Sequence, residues 1–302
     1  MLLFIVRIGL SIALVSTFCQ AVFSQVPDFA KVPNLYEGDT SNITYLISHG
    51  VKVSKGKVIA WFPEDSLSEK RMNEIIDTLN AGIGAAEEFI GAPLPWQVHQ
   101  PGEPYTFYFR YDRFISHASG AGFVSIPFWR IKSSKAPWLH EAVHEMLNTN
   151  TGSWQSPLIT DEEWQKNMPL WLYEGLADCI SLSVCRSKKL VWFDVFSGKP
   201  QTNEDSLFIE ELKSDKASYI LSFIGANGVM PELFSDDRKL YAPAFYHGSA
   251  SFVSYIANSY NKEVLLTAIS SFGNEQQTIE KLTARSTGSL KNEWLEKLGI
   301  KK

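Results

Sequence analysis

The segment Trp138-Leu139-His140-Glu141-Ala142-Val143-His144-Glu145 constrains this chain more than any other. Two histidines four residues apart point the same way only on a helix. No Pro or Gly interrupts residues 138–147, Pro137 suits a helix start, and Ala142, Val143, Met146 and Leu147 supply the flank of a buried helix. Two such imidazoles can chelate one metal ion. Glu141, one step on, is displaced around the axis, so its carboxylate reaches a water on the ion rather than the ion itself. The fold has to hold this helix and bring a further ligand to it.

That ligand is expected from Pro169-Leu170-Trp171-Leu172-Tyr173-Glu174-Gly175-Leu176-Ala177-Asp178. Glu174 lies thirty positions after His144, enough for a loop and an antiparallel return. Two histidines, one glutamate and a water make an open catalytic zinc site, one Zn2+ per chain. Asp178 falls one turn after Glu174, placed to accept from the outer nitrogen of a ligand histidine. Gly175 and Ala177 are small and predict a close approach of this helix to the first. Hydrolysis through a tetrahedral intermediate also needs an oxyanion donor. Tyr246 and His247 are the two candidates, and donor chemistry alone allows either.

At HEAVHE and WLYEGLAD the chain resembles the gluzincin metallopeptidases, which include thermolysin and aminopeptidase N. The wording around Glu174 is especially similar to the peptidase MA-like group of secreted and membrane-associated proteins. The resemblance implies a zincin-like fold, a peptide or protein substrate, His140, His144 and Glu174 as zinc ligands, and Glu141 as catalytic base. It favours Tyr246 over His247 as donor. The glutamate with which aminopeptidases hold a substrate amine is not visible, and residues 119–122 lack it.

Two other readings of the same residues stay open. A metal-stabilised binding module normally closes zinc with four protein ligands, which leaves Glu141 without a task. A zinc hydrolase acting on a non-peptide amide or ester differs only in cleft loops, so the peptide reading rests on the resemblance.

The rest of the pattern predicts an α+β protein: a small mixed-sheet lobe carrying the histidine helix, then a mainly helical C-terminal lobe. Strands are expected at 57–62, 105–110 and 122–126, the last as a sheet edge beside which an extended substrate would lie. Met72, Ile75, Ile76, Leu79, Ile83, Ala86 and Ile90 form one stripe of a long helix from about Ser68. Further helices are expected at 136–148, 169–183, 206–223, 244–259, 262–272, 275–285 and 289–298. Residues 25–55 read as an irregular lead-in, and His49, His99 and His117 as ordinary loop residues.

Residues 1–24 read as a secretory signal peptide, with Arg7 near the start, a short apolar run to Phe18, and Val22 and Ser24 before the cut. The apolar run is short for a stable membrane span. Loss of this segment removes one of 28 basic residues and no acidic one, moving the formal charge from −5 to −6. Export places the chain in a secreted or periplasmic setting, where Cys179 and Cys185 are able to pair if their helix ends between them. With 45% apolar residues the 302-residue chain has an ordinary globular balance. Its scattered Lys and Arg argue against a nucleic-acid partner.

Overall fold

Alternating large apolar side chains build the sheet, and the alternation sends successive residues to opposite faces. The computed structural model describes residues 39–91, 103–112, 116–118, 122–147, 166–201, 203–213, 216–271 and 273–300. Strands β1 (Val51–Lys55) and β2 (Val58–Phe62) form an antiparallel hairpin. Its turn residue Gly56 has φ +59°, a left-handed conformation that glycine adopts without strain. Strand β3 (Tyr105–Arg110) runs parallel to β2, and β5 (Phe123–Pro127) parallel to β3. The short β4 (His117–Ala118) is antiparallel on the outer side of β5, giving the order β1-β2-β3-β5-β4.

Each face of the sheet has its own cover. Helix α1 (Asp39–His49) packs Ile43 and Leu46 on Tyr108 and Phe123. On the other face, helix α2 (Glu69–Ile90) lays Met72, Ile76, Leu79, Ile83 and Ala86 in one core with Val58, Ala60, Phe62, Phe107, Phe109, Val124 and Ile126. The Ser68 hydroxyl caps α2 by accepting from Arg71 N. The side chain of Asn80 ties α2 to the hairpin, accepting from Lys57 N at 2.8 Å and donating to Lys55 O at 2.7 Å.

A short helix α3 (Phe128–Lys132) leaves the end of β5, and α4 (Trp138–Leu147) follows. The first turn of α4 closes with Glu141 N donating to Pro137 O at 2.9 Å. A Cβ on Gly82 of α2 would meet the Trp138 ring at 2.7 Å, so this glycine makes room for the start of α4. α4 packs on β4 and β5, and Glu145 Oε1 accepts from Gly122 N, tying it to the beginning of β5.

The C-terminal part is helical: α5 (Leu170–Lys188), α6 (Glu204–Glu211), α7 (Ala217–Phe223), α8 (Arg238–Tyr260), α9 (Lys262–Ser270), α10 (Glu275–Thr283) and α11 (Thr287–Lys297). A two-stranded ribbon, β6 (Trp192–Phe193) and β7 (Pro200–Gln201), follows α5. One apolar core runs from the sheet through α4 and α5 to α8 and Trp294 of α11. The protein is thus α+β, a mixed sheet followed by a helical C-terminal portion. Among the described residues no helix is long and apolar enough to cross a membrane. Residues 1–38, the expected signal peptide included, lie outside those described.

Several expectations change. The supposed irregular lead-in contains α1 and β1, because Ile43 and Leu46 bury completely and β1 pairs along its whole length with β2. The strand over 122–126 is no edge: β5 is flanked by β3 and β4, and β4 holds the outer position. His117 is a buried residue of β4 and His49 ends α1, while His99 lies outside the described residues. The single helix expected over 206–223 is two, α6 and α7. Helix α8 begins at Arg238 and carries Pro243 inside it, since burial of Ala242 and Phe245 outweighs the lost backbone bond. Helix α5 runs unbroken through Cys179 and Cys185, so both remain free, buried thiols. Burial pushes the Cys185 thiol up to about 11 and keeps it inert.

Gly175 serves a contact other than the expected one. A Cβ there would come within 2.5 Å of Ser249 O and 2.7 Å of Ser249 C, so the glycine lets α5 touch the backbone of α8, not α4. Gly175→Ala is expected to destabilise the protein by about 1–3 kcal/mol, because a backbone cannot swing aside as a side chain can. The helix propensity of alanine returns about 1 kcal/mol of that. A fall in the urea midpoint with unchanged slope is the expected measurement; an unchanged midpoint would mean that α8 shifts freely.

Candidate metal centre

Helices α4 and α5 face each other, and three donor atoms converge between them. His140 Nε2 and His144 Nε2 are 3.0 Å apart. Glu174 Oε2 lies 3.2 Å from each. The i,i+4 step of α4 aligns the two imidazoles, and the return of α5 brings in the carboxylate. His144 is 2% exposed, and the His140 and Glu174 side chains 11% and 13%. Three lone-pair-bearing atoms this close and this dry need a positive charge among them.

The donor set fits zinc. Zn–N and Zn–O bonds of about 2.0–2.2 Å in tetrahedral geometry separate ligand atoms by about 3.3 Å, close to the spacing here. Three protein ligands leave the fourth position open, the arrangement of catalytic rather than structural sites. Among the described residues, His140, His144 and Glu174 form the group with metal-holding geometry.

Asp178, one turn beyond Glu174 on α5, accepts from His140 Nδ1 at 2.8 Å. A carboxylate only accepts, so Nδ1 carries a proton and Nε2 is the nitrogen turned towards His144 and Glu174. Burial works against a charge on His140, but Asp178 first and then Glu174 outweigh it and hold the imidazole well above its ordinary 6.5. Burial likewise opposes ionisation of Glu174, yet His144 and His140 draw it well below the carboxylate range. The protein's own groups thus favour an ionised Glu174 and a cation beside it.

Glu141 is 7% exposed on the same helix as the two histidines. Tyr246 reaches the group from α8, its ring centroid 6.2 Å from that of His140. Burial first, then Glu174, keeps its phenol protonated far above the ordinary range, so Tyr246 is a donor. His247, its neighbour, points elsewhere. Its Nε2 lies 3.1 Å from Asp194 Oδ1, and Phe196 packs edge-on against its ring. Asp194 also accepts from Phe196 N and Ser197 N and so closes the β6–β7 turn. Burial would raise Asp194, but the bonds from His247 and Ser197 hold it down at about 2. Of the two oxyanion candidates, the structure brings Tyr246 to the ligand cluster and His247 to a buried turn.

Two arginines beside the centre have no counterpart among the residues expected from sequence. Arg238, on α8, directs Nη2 to the Tyr246 hydroxyl at 3.4 Å, with its guanidinium 5.9 Å from that ring's centroid. Arg130, on α3, interacts electrostatically with Glu141, Tyr246 and Arg238. Arg238 is legible in principle, on the same helix as Tyr246, but Pro243 suggests a helix start after it. Arg130 and Asp194 carry no sequence signal, since each is brought in by chain packing.

The chain matches no family model, no curated protein and no solved structure.

Proposed function

We propose that this protein is an exported zinc-dependent peptidase. The observation that carries the reading is the convergence of His140 Nε2, His144 Nε2 and Glu174 Oε2 within 3.0–3.2 Å, with Glu141 on the same helix and free of ligand duty. Zinc held there would act as a Lewis acid and make a water nucleophilic at neutral pH. The choice of peptide bonds rests on the likeness of HEAVHE and WLYEGLAD to gluzincins, and the export on residues 1–24.

Each side chain then has a task. Glu141 takes the proton of the attacking water and returns it to the leaving amine. Its low exposure keeps competing water away and strengthens its interactions with neighbouring charge. The Tyr246 hydroxyl, kept protonated by burial, donates to the oxyanion of the tetrahedral intermediate. Asp178 fixes the ring and tautomer of His140. His247 and Asp194 hold the turn whose Phe196 backs the Tyr246 ring at 5.7 Å.

The test is to purify the secreted chain, measure its zinc, and follow cleavage of a mixed peptide library by mass spectrometry. One zinc per chain with cleavage stopped by a chelator and restored by zinc is expected. Absence of zinc would remove the centre from the account. Zinc without cleavage of any peptide, and turnover of a simple ester or non-peptide amide, would replace the substrate class.

A further inference from the structure

Two like charges held beside a buried reaction centre need an explanation, because burial and mutual repulsion both oppose them. Arg130 is half-buried on α3. Among the described residues its enclosed Nε has no hydrogen-bond partner, and its Nη1 reaches Lys135 O at a long 3.4 Å. Among the described residues it forms no ion pair. Its electrostatic neighbours are Glu141, Tyr246 and Arg238, all at the proposed reaction centre. Arg238 is fixed from the other side: Nη1 donates to Leu233 O at 3.1 Å while Nη2 lies 3.4 Å from the Tyr246 hydroxyl. The phenol proposed to meet the oxyanion therefore has a guanidinium at its hydroxyl and a second one within electrostatic reach.

Glu141 does not satisfy Arg130. It is a single carboxylate with its own task, and it lies beyond ion-pair distance of the guanidinium among the described residues. The guanidinium is only half-buried, and the two Nη atoms of such a planar fork can hold a further carboxylate through two parallel bonds.

We propose that Arg130, supported by Arg238, is a specificity subsite that binds a carboxylate of the substrate near the bond to be cleaved. This deepens the peptidase reading and rests on it: the substrates are peptides carrying an acidic group close to the scissile bond. That group is either an Asp or Glu side chain or the chain's terminal carboxylate, and the chemistry of recognition is the same.

The experiment uses the full secreted chain with zinc, in the Glu141→Gln form so that peptides bind without being consumed. Binding is read by fluorescence anisotropy for matched peptide pairs: Glu against Gln, Asp against Asn, and free C-terminus against its amide. Charge-assisted bonds to one guanidinium predict a preference of about tenfold to a hundredfold for the acidic member of at least one pair. Arg130→Gln should abolish that preference, chiefly through lost affinity for the acidic member of the pair. Arg130→Lys should restore only part of it, since it keeps the charge and loses the fork. Arg238→Gln should weaken it as well. A preference confined to the side-chain pairs identifies an acidic residue, and one confined to the terminal pair identifies the carboxyl end.

Equal affinity for acid and amide, or a preference that survives Arg130→Gln, overturns the subsite. The parent reading is judged separately, by turnover in the unmutated protein. Cleavage without acid preference leaves the peptidase standing and removes the subsite. Acid-selective binding lost in Arg130→Gln, without turnover of any peptide, supports the subsite and removes the peptidase.

Discussion

Glu141→Gln is expected to keep one zinc per chain and lose peptide cleavage by about a hundredfold to ten-thousandfold, the usual worth of a general base. The carboxamide is nearly isosteric and stays uncharged, so it cannot take the proton of the attacking water. The proposed ligand atoms belong to His140, His144 and Glu174, none of which it displaces. Gln fills the space of Glu141, which is 7% exposed, so the packing around it should be kept. The measurement is kcat/KM for the best library peptide, alongside zinc content and thermal midpoint. Full activity in this variant refutes the base assignment. Loss of zinc together with activity would mean that Glu141 supports the ion directly, contrary to its place on the helix.

The part of the site written in local periodicity is legible in the sequence alone. The His140–His144 step and the Glu174–Asp178 step are each one turn of an uninterrupted helix, and one turn of helix is what sequence spacing reports best. An acceptor behind one of the two histidines is expected from chemistry, since a metal-binding imidazole needs one; the structure shows that Asp178 takes this place at His140. Long stripes are legible for the same reason, as in α2.

What stays hidden depends on contacts distant in sequence. His247 and Tyr246 are neighbours on one helix, and a step of about 100° separates them, so one reaches the centre and the other meets Asp194. Donor chemistry and local periodicity do not indicate which of the two faces the centre; the family resemblance alone favours Tyr246. Gly175 announces a close approach and not its partner, which is Ser249 of α8. The two-residue β4 is too short to show alternation, and without it β5 passes for an edge. Arg238 is concealed by Pro243, which local rules place at a helix boundary and tertiary packing places inside α8.

Glu174→Ala should abolish stoichiometric zinc at nanomolar free metal, and with it all turnover. Glu174 Oε2 is the sole oxygen in the donor set, 3.2 Å from both imidazole nitrogens, and alanine offers no substitute atom. Two imidazoles alone leave the ion with half of a tetrahedral shell from solvent, in a place closed to most water. The substitution also deletes a buried negative charge facing both imidazoles, so the pocket becomes less welcoming to any cation. Asp178→Asn provides the graded comparison. Its carboxylate touches the Nδ1 side of His140, and weakening such a support costs about tenfold to a hundredfold in metal affinity without abolishing the site. Competition titration against a zinc-binding dye should therefore rank the proteins as unmutated, then Asp178→Asn, then Glu174→Ala, with unchanged far-UV circular dichroism showing that each is folded. Unchanged zinc affinity in Glu174→Ala would remove the third ligand and return the centre to a pair of histidines. A reversal of the order would make Asp178 the ligand and Glu174 its support, which the 2.8 Å bond from Asp178 to the outer nitrogen of His140 argues against.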